Sequence, residues 1–253
     1  MKKFYKGLVT SKKQKSGRDR NGRICIRRRQ GGCSSLYRII NFDLSFNRND
    51  NYKLVRIEYD PNRSAFIGLL YNYNGNLFNY IILPDGLAVN DIILNSFESS
   101  FKRKSGFRTY LKEFPLGSLI HNISLDLSGN GIFCRSRGSF AKILQKNIQN
   151  KYIKVRLPSG EERLIHQNCK ATLGIVSNLK KTIKTRNAGW SRRMGNRPSV
   201  RGVAMNPVDH PHGGGEGRTS GGRCSVSPWG KLTKGKPTVF KKNKMVIFSR
   251  KQF

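Results

Sequence analysis

The sequence predicts a mainly β protein, with small closed barrels at its centre and a basic arm at each end. Three observations carry that expectation. Short apolar runs of period two alternate with turn signals through the middle of the chain. Long helical periodicity is absent. Charge and apolar content divide the 253 residues into three zones. Residues 1–35 hold 12 Lys/Arg, one acid and only five Leu/Ile/Val/Phe. Residues 178–253 hold 18 Lys/Arg, two acids and 13 such apolar residues in 76. Residues 36–177 hold 19 Lys/Arg, 11 acids and 48 such apolar residues in 142. Below roughly 20% Leu/Ile/Val/Phe a chain seldom buries enough apolar surface to fold alone. The centre is therefore expected to be globular, and the arms to order on a partner.

The strands follow in order. Val55–Tyr59 alternates and is stopped by Asp60-Pro61-Asn62. Ala65–Tyr73 is aliphatic and aromatic, Asn74-Gly75 signals a type I′ hairpin turn, and Leu77–Leu83 returns until Pro84-Asp85-Gly86. A second cluster opens near Leu116, where Ser118–Asp126 alternates with one irregularity. Ile153, Val155 and Leu157 share one face, with Lys154 and Arg156 on the other. Pro158-Ser159-Gly160 then turns the chain into Glu161–His166. Short strands joined by turns at this spacing suggest small closed barrels.

The net charge is +35, from 49 Lys/Arg against 14 Asp/Glu. So large an imbalance repels itself in a compact state unless a polyanion neutralises it. It argues against a free-standing metabolic enzyme and for nucleic acid as a permanent partner, ahead of an anionic membrane. No apolar run reaches the ~20 residues of a transmembrane helix, and Lys12-Lys13-Gln14-Lys15 stands where the apolar part of a secretory signal would be. The five cysteines (25, 33, 134, 169 and 224) include no CxxC pair, so free thiols are expected ahead of a zinc site using Cys25 and Cys33. Abundant Asn, Ile, Lys and Phe suggest an AT-rich genome.

The most unusual segment is Val200–Arg218. Gly213, Gly214, Gly215 and Gly217 permit close backbone approach and an anion-binding nest, and Pro207 and Pro211 fix φ. This describes an irregular loop shaped by a partner. No Gly-Lys-Ser/Thr closes it as a Walker loop. Asp209, His210 and His212 are also the residues that an RNA-processing or RNA-modifying enzyme would use. That alternative lacks a nucleophile and an oxyanion hole with supporting spacing. Trp190 and Trp229, in basic and glycine-containing surroundings, are candidates for stacking on a base or for anchoring a tail. The runs Arg27-Arg28-Arg29 and Lys241-Lys242-Asn243-Lys244 lie in arms without a core, which favours phosphate neutralisation.

These segments carry a resemblance. Val200–Arg218, with Thr219-Ser220-Gly221-Gly222-Arg223 and Ser227-Pro228-Trp229-Gly230-Lys231, closely resembles the universal large-subunit ribosomal protein two family in its bacterial and organellar form. Arg56–Ser64, Gly117–Asn122, Arg156–Glu161 and Cys169–Gly174 match in the family's order. The resemblance implies an OB-fold barrel followed by an SH3-like barrel. It implies an N-terminal rRNA-binding extension over 1–53, the barrels over 54–115 and 116–189, and a C-terminal rRNA-binding extension over 190–253. The implied role is a structural constituent of the large ribosomal subunit, not an enzyme. It would bind large-subunit rRNA, touch neighbouring ribosomal proteins, support an intersubunit contact with the small subunit and reach toward the peptidyl-transferase region.

Carried onto this sequence, the implied rRNA-binding residues begin with Arg27, Arg28, Arg29 and Arg63, followed by Arg192, Arg193, Arg197 and Arg201. Asn206, His210, His212, Gly213, Gly214 and Gly215 come next, then Arg218, Arg223, Trp229, Lys231, Lys234 and Lys236. His210 is given a functional but non-catalytic part. No cofactor or metal site is implied, with Mg2+ entering only through bound rRNA, and no membrane partner. The chain departs from the family at Ser34-Ser35, where basic residues are usual, in the Asn-rich linker 41–53, over 95–115, and in its apolar end Met245-Val246-Ile247-Phe248. Those departures and the codon bias point to a mitochondrial member working in the matrix, with a plastid or bacterial cytoplasmic one as the alternative.

Overall fold

The computed structural model describes residues 4–12, 16–43, 51–94, 105–149, 151–179, 187–235 and 243–249. The chain divides into two compact units. One comprises Met1–Lys12, Ser35–Ile183 and Asn243–Phe253, the other Lys13–Ser34 and Lys184–Lys242.

The first unit holds the β-sheets. Its strands, in chain order, are β1 (Val9–Ser11), β2 (Leu36–Arg38), β3 (Asn51–Glu58), β4 (Ile67–Asn72), β5 (Leu77–Ile82) and β6 (Ile92–Leu94). They continue as β7 (Arg108–Tyr110), β8 (Leu119–His121), β9 (Ile123–Ser124), β10 (Gly131–Phe133), β11 (Ala141–Ile148) and β12 (Tyr152–Arg156). The last are β13 (Glu162–His166), β14 (Lys170–Leu173) and β15 (Val246–Phe248). Every strand pairing is antiparallel.

A four-stranded sheet runs in the order β5-β4-β3-β6. Both of its faces are apolar, and the period-two alternation sorts its residues between two clusters. Ile67, Leu69, Tyr80 and Ile82 pack with Ile40, Ala65 and Val176, whereas Leu70, Ile81 and Leu83 pack with Tyr52, Leu54 and Ile93. Tyr80 is fully buried, and its hydroxyl donates to Glu58 Oε2 at 2.8 Å and accepts from the Tyr5 backbone N–H at 2.8 Å. Arg56 holds the other oxygen of Glu58.

The β4–β5 hairpin lies where the sequence puts it, but its turn differs. Asn72 pairs with Leu77 across a four-residue loop, and the residue with positive φ is Asn76 (+50°), not Asn74 or Gly75. Four-residue loops are built on a type I turn, so the two positive φ values of type I′ are not needed. Asn72 fixes the loop by accepting the Asn74 N–H at 3.0 Å.

The second sheet has seven strands in the order β15-β13-β12-β11-β8-β14-β7, and β9 pairs with β10 beside it. Its core is Leu111, Phe114, Ile120, Ile123, Ile143, Ile153, Val155 and Ile165, all 2% exposed or less. Ile153 and Val155 point inward, as their spacing predicts. Lys154 turns outward and binds Glu162 Oε2 at 2.6 Å. The irregularity expected within 118–126 is Asn122, whose φ of +49° separates β8 from β9. With the first sheet, this is the mainly β architecture of an OB-fold barrel followed by an SH3-like barrel.

The second unit is different in kind. Its described residues include one short helix, α1 (Ala188–Arg193), and a 3-10 turn at Gly202–Ala204. Among its described residues only Gly195, His210 and Val226 are buried. Those described residues have hydrogen-bonded turns and no apolar core.

Candidate nucleic-acid interface

The second unit forms because two basic segments hydrogen-bond to each other. Asp19 Oδ1 accepts the N–H groups of Asn21 and Arg23, at 2.9 and 2.8 Å, which turns the first segment. Asn187 caps α1, its Oδ1 accepting the Trp190 N–H at 3.0 Å. The two segments meet at a bridge between Arg29 and Asn196. Beside it, the Gln30 N–H donates to Gly195 O (3.1 Å), the Cys33 N–H to Arg193 O (2.8 Å) and the Arg197 N–H to Arg28 O (2.9 Å). The Arg197 guanidinium also donates to Gln30 Oε1. Backbone pairing thus uses main-chain groups of arginine-rich stretches and leaves the cationic side chains outside.

The loop after α1 is built around two histidines. His210 is 7% exposed and its ring lies on Gly202, where a Cβ would come within 2.5 Å of it. His210 Nδ1 accepts the His212 N–H at 3.0 Å, and the two rings stack with centroids 5.2 Å apart. His212 Nε2 accepts the Val226 N–H at 3.1 Å, so its proton sits on Nδ1, which donates to Gly221 O at 2.8 Å. His212 therefore ties the loop to residues 221–226 and has both ring nitrogens engaged. It has none left for a phosphate or for moving a proton.

The glycines are needed where they stand. A Cβ on Gly213 would lie 2.3 Å from Asn206 O and 2.7 Å from Met205 O, so backbone passes against backbone there. Gly214 (φ +97°) and Gly215 (φ +92°) adopt left-handed conformations. The Gly213 N–H donates to His210 O, the Gly214 N–H to Met205 O, and Thr219 Oγ1 to Gly214 O. Asn206 is exposed, while its carbonyl accepts from the Asp209 and His210 N–H groups.

On this scaffold Arg27, Arg28, Arg29, Arg192, Arg193 and Arg197 are all exposed, as are Arg201, Arg218, Arg223, Lys231 and Lys234. Trp229 is 58% exposed, with the Arg27 guanidinium 5.8 Å from its ring centroid. Trp190 is half-buried at the start of α1. Lys236, with Lys241 and Lys242, lies outside the described residues. Arg63 belongs to the first unit. Its Nε binds Asp60 Oδ2 at 2.6 Å, and Asp60, fully buried, also accepts the Asn62 N–H. The Asp60-Pro61-Asn62-Arg63 motif is thus a locked turn.

Sequence reasoning missed a buried polar cluster in the second barrel. Arg108 is 6% exposed and donates to Asn122 O, Gly129 O and Thr172 Oγ1. Asp43, between Arg108 and Lys170 at 3.7 and 3.3 Å, balances the charge. Burial pulls the Arg108 pKa down to about 10, which leaves it charged at neutral pH. His121, 1% exposed, makes a 2.9 Å hydrogen bond between Nδ1 and Gly174 O, and burial lowers its pKa to about 4. No local spacing announces these residues, because their partners lie up to 127 positions apart.

Among the described residues no group of three or more His, Cys, Asp or Glu is arranged to hold a metal, and no helix is long and apolar enough to cross a membrane. Among the described residues no cysteine forms a disulfide.

Family models match most of the chain in two stretches. Residues 5–95 match the family model described as Ribosomal Proteins L2, RNA binding N-terminal domain. Residues 104–230 match that of Ribosomal Proteins L2, C-terminal domain. The large ribosomal subunit protein uL2 of Wolbachia sp. subsp. Brugia malayi is 46% identical over 240 residues, covering 94% of this chain and 85% of that protein. The large ribosomal subunit protein uL2m of Reclinomonas americana is 46% identical over 250 residues, covering 98% and 87%. The large ribosomal subunit protein uL2 of Methylocella silvestris is 46% identical over 255 residues, covering 98% of this chain and 89% of that protein. Bacterial and mitochondrial types thus match about equally well over nearly the full length of the chain, which belongs to the ribosomal protein L2 family.

Proposed function

We propose that this chain is a structural constituent of the large ribosomal subunit that binds large-subunit rRNA through its second unit. One observation carries the reading. At least eleven Arg and Lys side chains are exposed on a unit whose described residues bury only Gly195, His210 and Val226. Such a unit gains little from apolar burial and repels itself, and phosphates remove both difficulties. Phosphate contact falls to the exposed arginines and lysines, and stacking to Trp229. Gly213–Gly215 bring backbone close to RNA, and His210 and His212 hold the loop that presents them. Lys236 extends the same set. Family membership supports the barrels over 54–115 and 116–189, the flanking rRNA-binding extensions, and contact with neighbouring ribosomal proteins.

An intersubunit contact and an approach of the C-terminal loop to the peptidyl-transferase region extend the reading. A mitochondrial matrix ribosome is the favoured setting, supported by the abundance of Asn, Ile, Lys and Phe expected from an AT-rich genome and by the match to a mitochondrial relative. A plastid or bacterial ribosome is the alternative. Catalysis by Asp209, His210 and His212 is disfavoured, because His212 has both ring nitrogens engaged and His210 Nδ1 accepts its N–H. The test is quantitative mass spectrometry across a sucrose gradient of ribosomes from purified mitochondria and cytosol. One copy per mitochondrial large subunit is expected. Recovery in RNA-free fractions would refute the ribosomal role, and recovery with other ribosomes would refute the location.

A further inference from the structure

The C-terminal arm does not end in the second unit. Residues 184–242 belong to that unit, and Asn243–Phe253 return to the first. The return is made by β15, which adds to the edge of β13 with Phe248 opposite Glu162 and Val246 opposite Arg163. The Leu164 N–H donates to Met245 O at 2.8 Å. Asn243 starts the strand, its Oδ1 accepting the Met245 N–H at 3.0 Å. The sequence marks the place. An arm poor in apolar residues regains β-branched and aromatic ones at Val246-Ile247-Phe248. The N-terminal arm is built alike, since β1 and β2 pair, Val9 opposite Arg38 and Ser11 opposite Leu36, and close residues 12–35 into a loop. Both segments of the second unit are therefore tied at each end to the barrel-bearing unit.

We propose that Met245–Phe248 is a clasp: it converts the C-terminal arm from a free tail into a loop held at both ends, so that less conformational freedom is lost when the arm is ordered on a polyanion. This rests on the rRNA-binding reading above. The clasp acts on affinity through chain entropy and contributes no phosphate contact of its own. That separates it from the arginines and lysines, whose removal changes the salt dependence of binding.

The test is the full-length chain carrying Val246→Pro and Phe248→Pro, which blocks β15 pairing and keeps every Lys and Arg. Hydrogen exchange of the RNA-free protein reads the clasp directly at the Leu164 amide, with β12 amides reporting that the barrel is intact. Binding to in vitro transcribed large-subunit rRNA is measured from low to high salt. Faster exchange at Leu164 is expected, with an affinity loss on the order of tenfold and an unchanged slope of log K against log salt. Faster exchange with unchanged affinity would overturn the proposal, and so would a loss accompanied by a shallower slope, which would make the segment an RNA contact. Val246→Ile with Phe248→Tyr should restore wild-type affinity, and failure to do so also counts against the clasp. If the unmodified chain does not bind rRNA, the parent reading has failed, and unaltered Leu164 exchange in the proline variant would refute the clasp on its own.

Discussion

Val155→Asp tests the alternation that defines the second barrel. Val155 is fully buried in β12, opposite Ile143 of β11 and Arg163 of β13. Truncating the isopropyl group forfeits about 1.5–3 kcal/mol of apolar burial. The carboxyl group put in its place meets Ile143, Ile153 and Ile165, which offer no hydrogen bond. It must be buried charged or take up a proton, and either route adds a comparable cost. The sum, about 4 kcal/mol or more, is a large share of the ~5–15 kcal/mol that holds a domain folded. The neighbouring Lys154→Gln supplies the control. It removes one partly exposed ion pair to Glu162, and Arg156 still holds that carboxylate at 2.8 Å, so about 1 kcal/mol or less is lost. Urea denaturation of the RNA-free chain, followed by far-ultraviolet circular dichroism, reads both. Val155→Asp should unfold the barrel at low urea or without it, and Lys154→Gln should hardly move the midpoint. Equal destabilisation by the two would refute the assignment of faces.

Other outcomes follow from the same structure. His121 has its folded pKa lowered to about 4 against about 6.5 unfolded, so the unfolded state binds more protons between those values. Its contribution is fully present above pH ~6.5 and is lost, to about 3 kcal/mol, as pH falls toward 4; urea midpoints of wild type and His121→Gln should converge over that window. Gly213→Ala should weaken rRNA binding while leaving barrel stability unchanged, because its Cβ would strike Asn206 O at 2.3 Å within the loop. His212→Ala should release the Val226 and Gly221 backbone groups and raise hydrogen exchange at Val226, with no change at Val155.

What was legible in the sequence was whatever a local pattern records. Ile153, Lys154 and Val155 alternate because β12 has one face in the core, and Pro158-Ser159-Gly160 turns the chain because Gly160 supplies a φ of +85°. The loop 200–218 stood out because its glycines answer a local steric demand. Asn74-Gly75 announced the hairpin but not the turn, since loop length is set by the register of Asn72 on Leu77. Nothing local marks Asp43 as the partner of Arg108 and Lys170, or Glu58 as that of Tyr80. The pairing of residues 28–33 with 193–197 was hidden for the same reason. It uses backbone groups, and a stretch such as Arg27-Arg28-Arg29 reads from its side chains only as charge. The residue type of His212 suits RNA contact and local hydrogen bonding alike, and only the geometry shows its ring nitrogens bonded to Gly221 O and the Val226 N–H.

The central claim is that exposed cations of the second unit bind rRNA phosphates. It is tested most directly by the salt dependence of binding of the full chain to large-subunit rRNA, with and without Arg192, Arg193, Arg197, Arg201, Arg218 and Arg223 replaced by Gln. Each phosphate contact contributes roughly 0.7–0.9 to the slope of log K against log salt. If all six are engaged, the variant's slope should be shallower by about 4–5. The variant's urea midpoint should match wild type, since none of the six lies in a barrel. An equal slope in the two proteins would contradict the account.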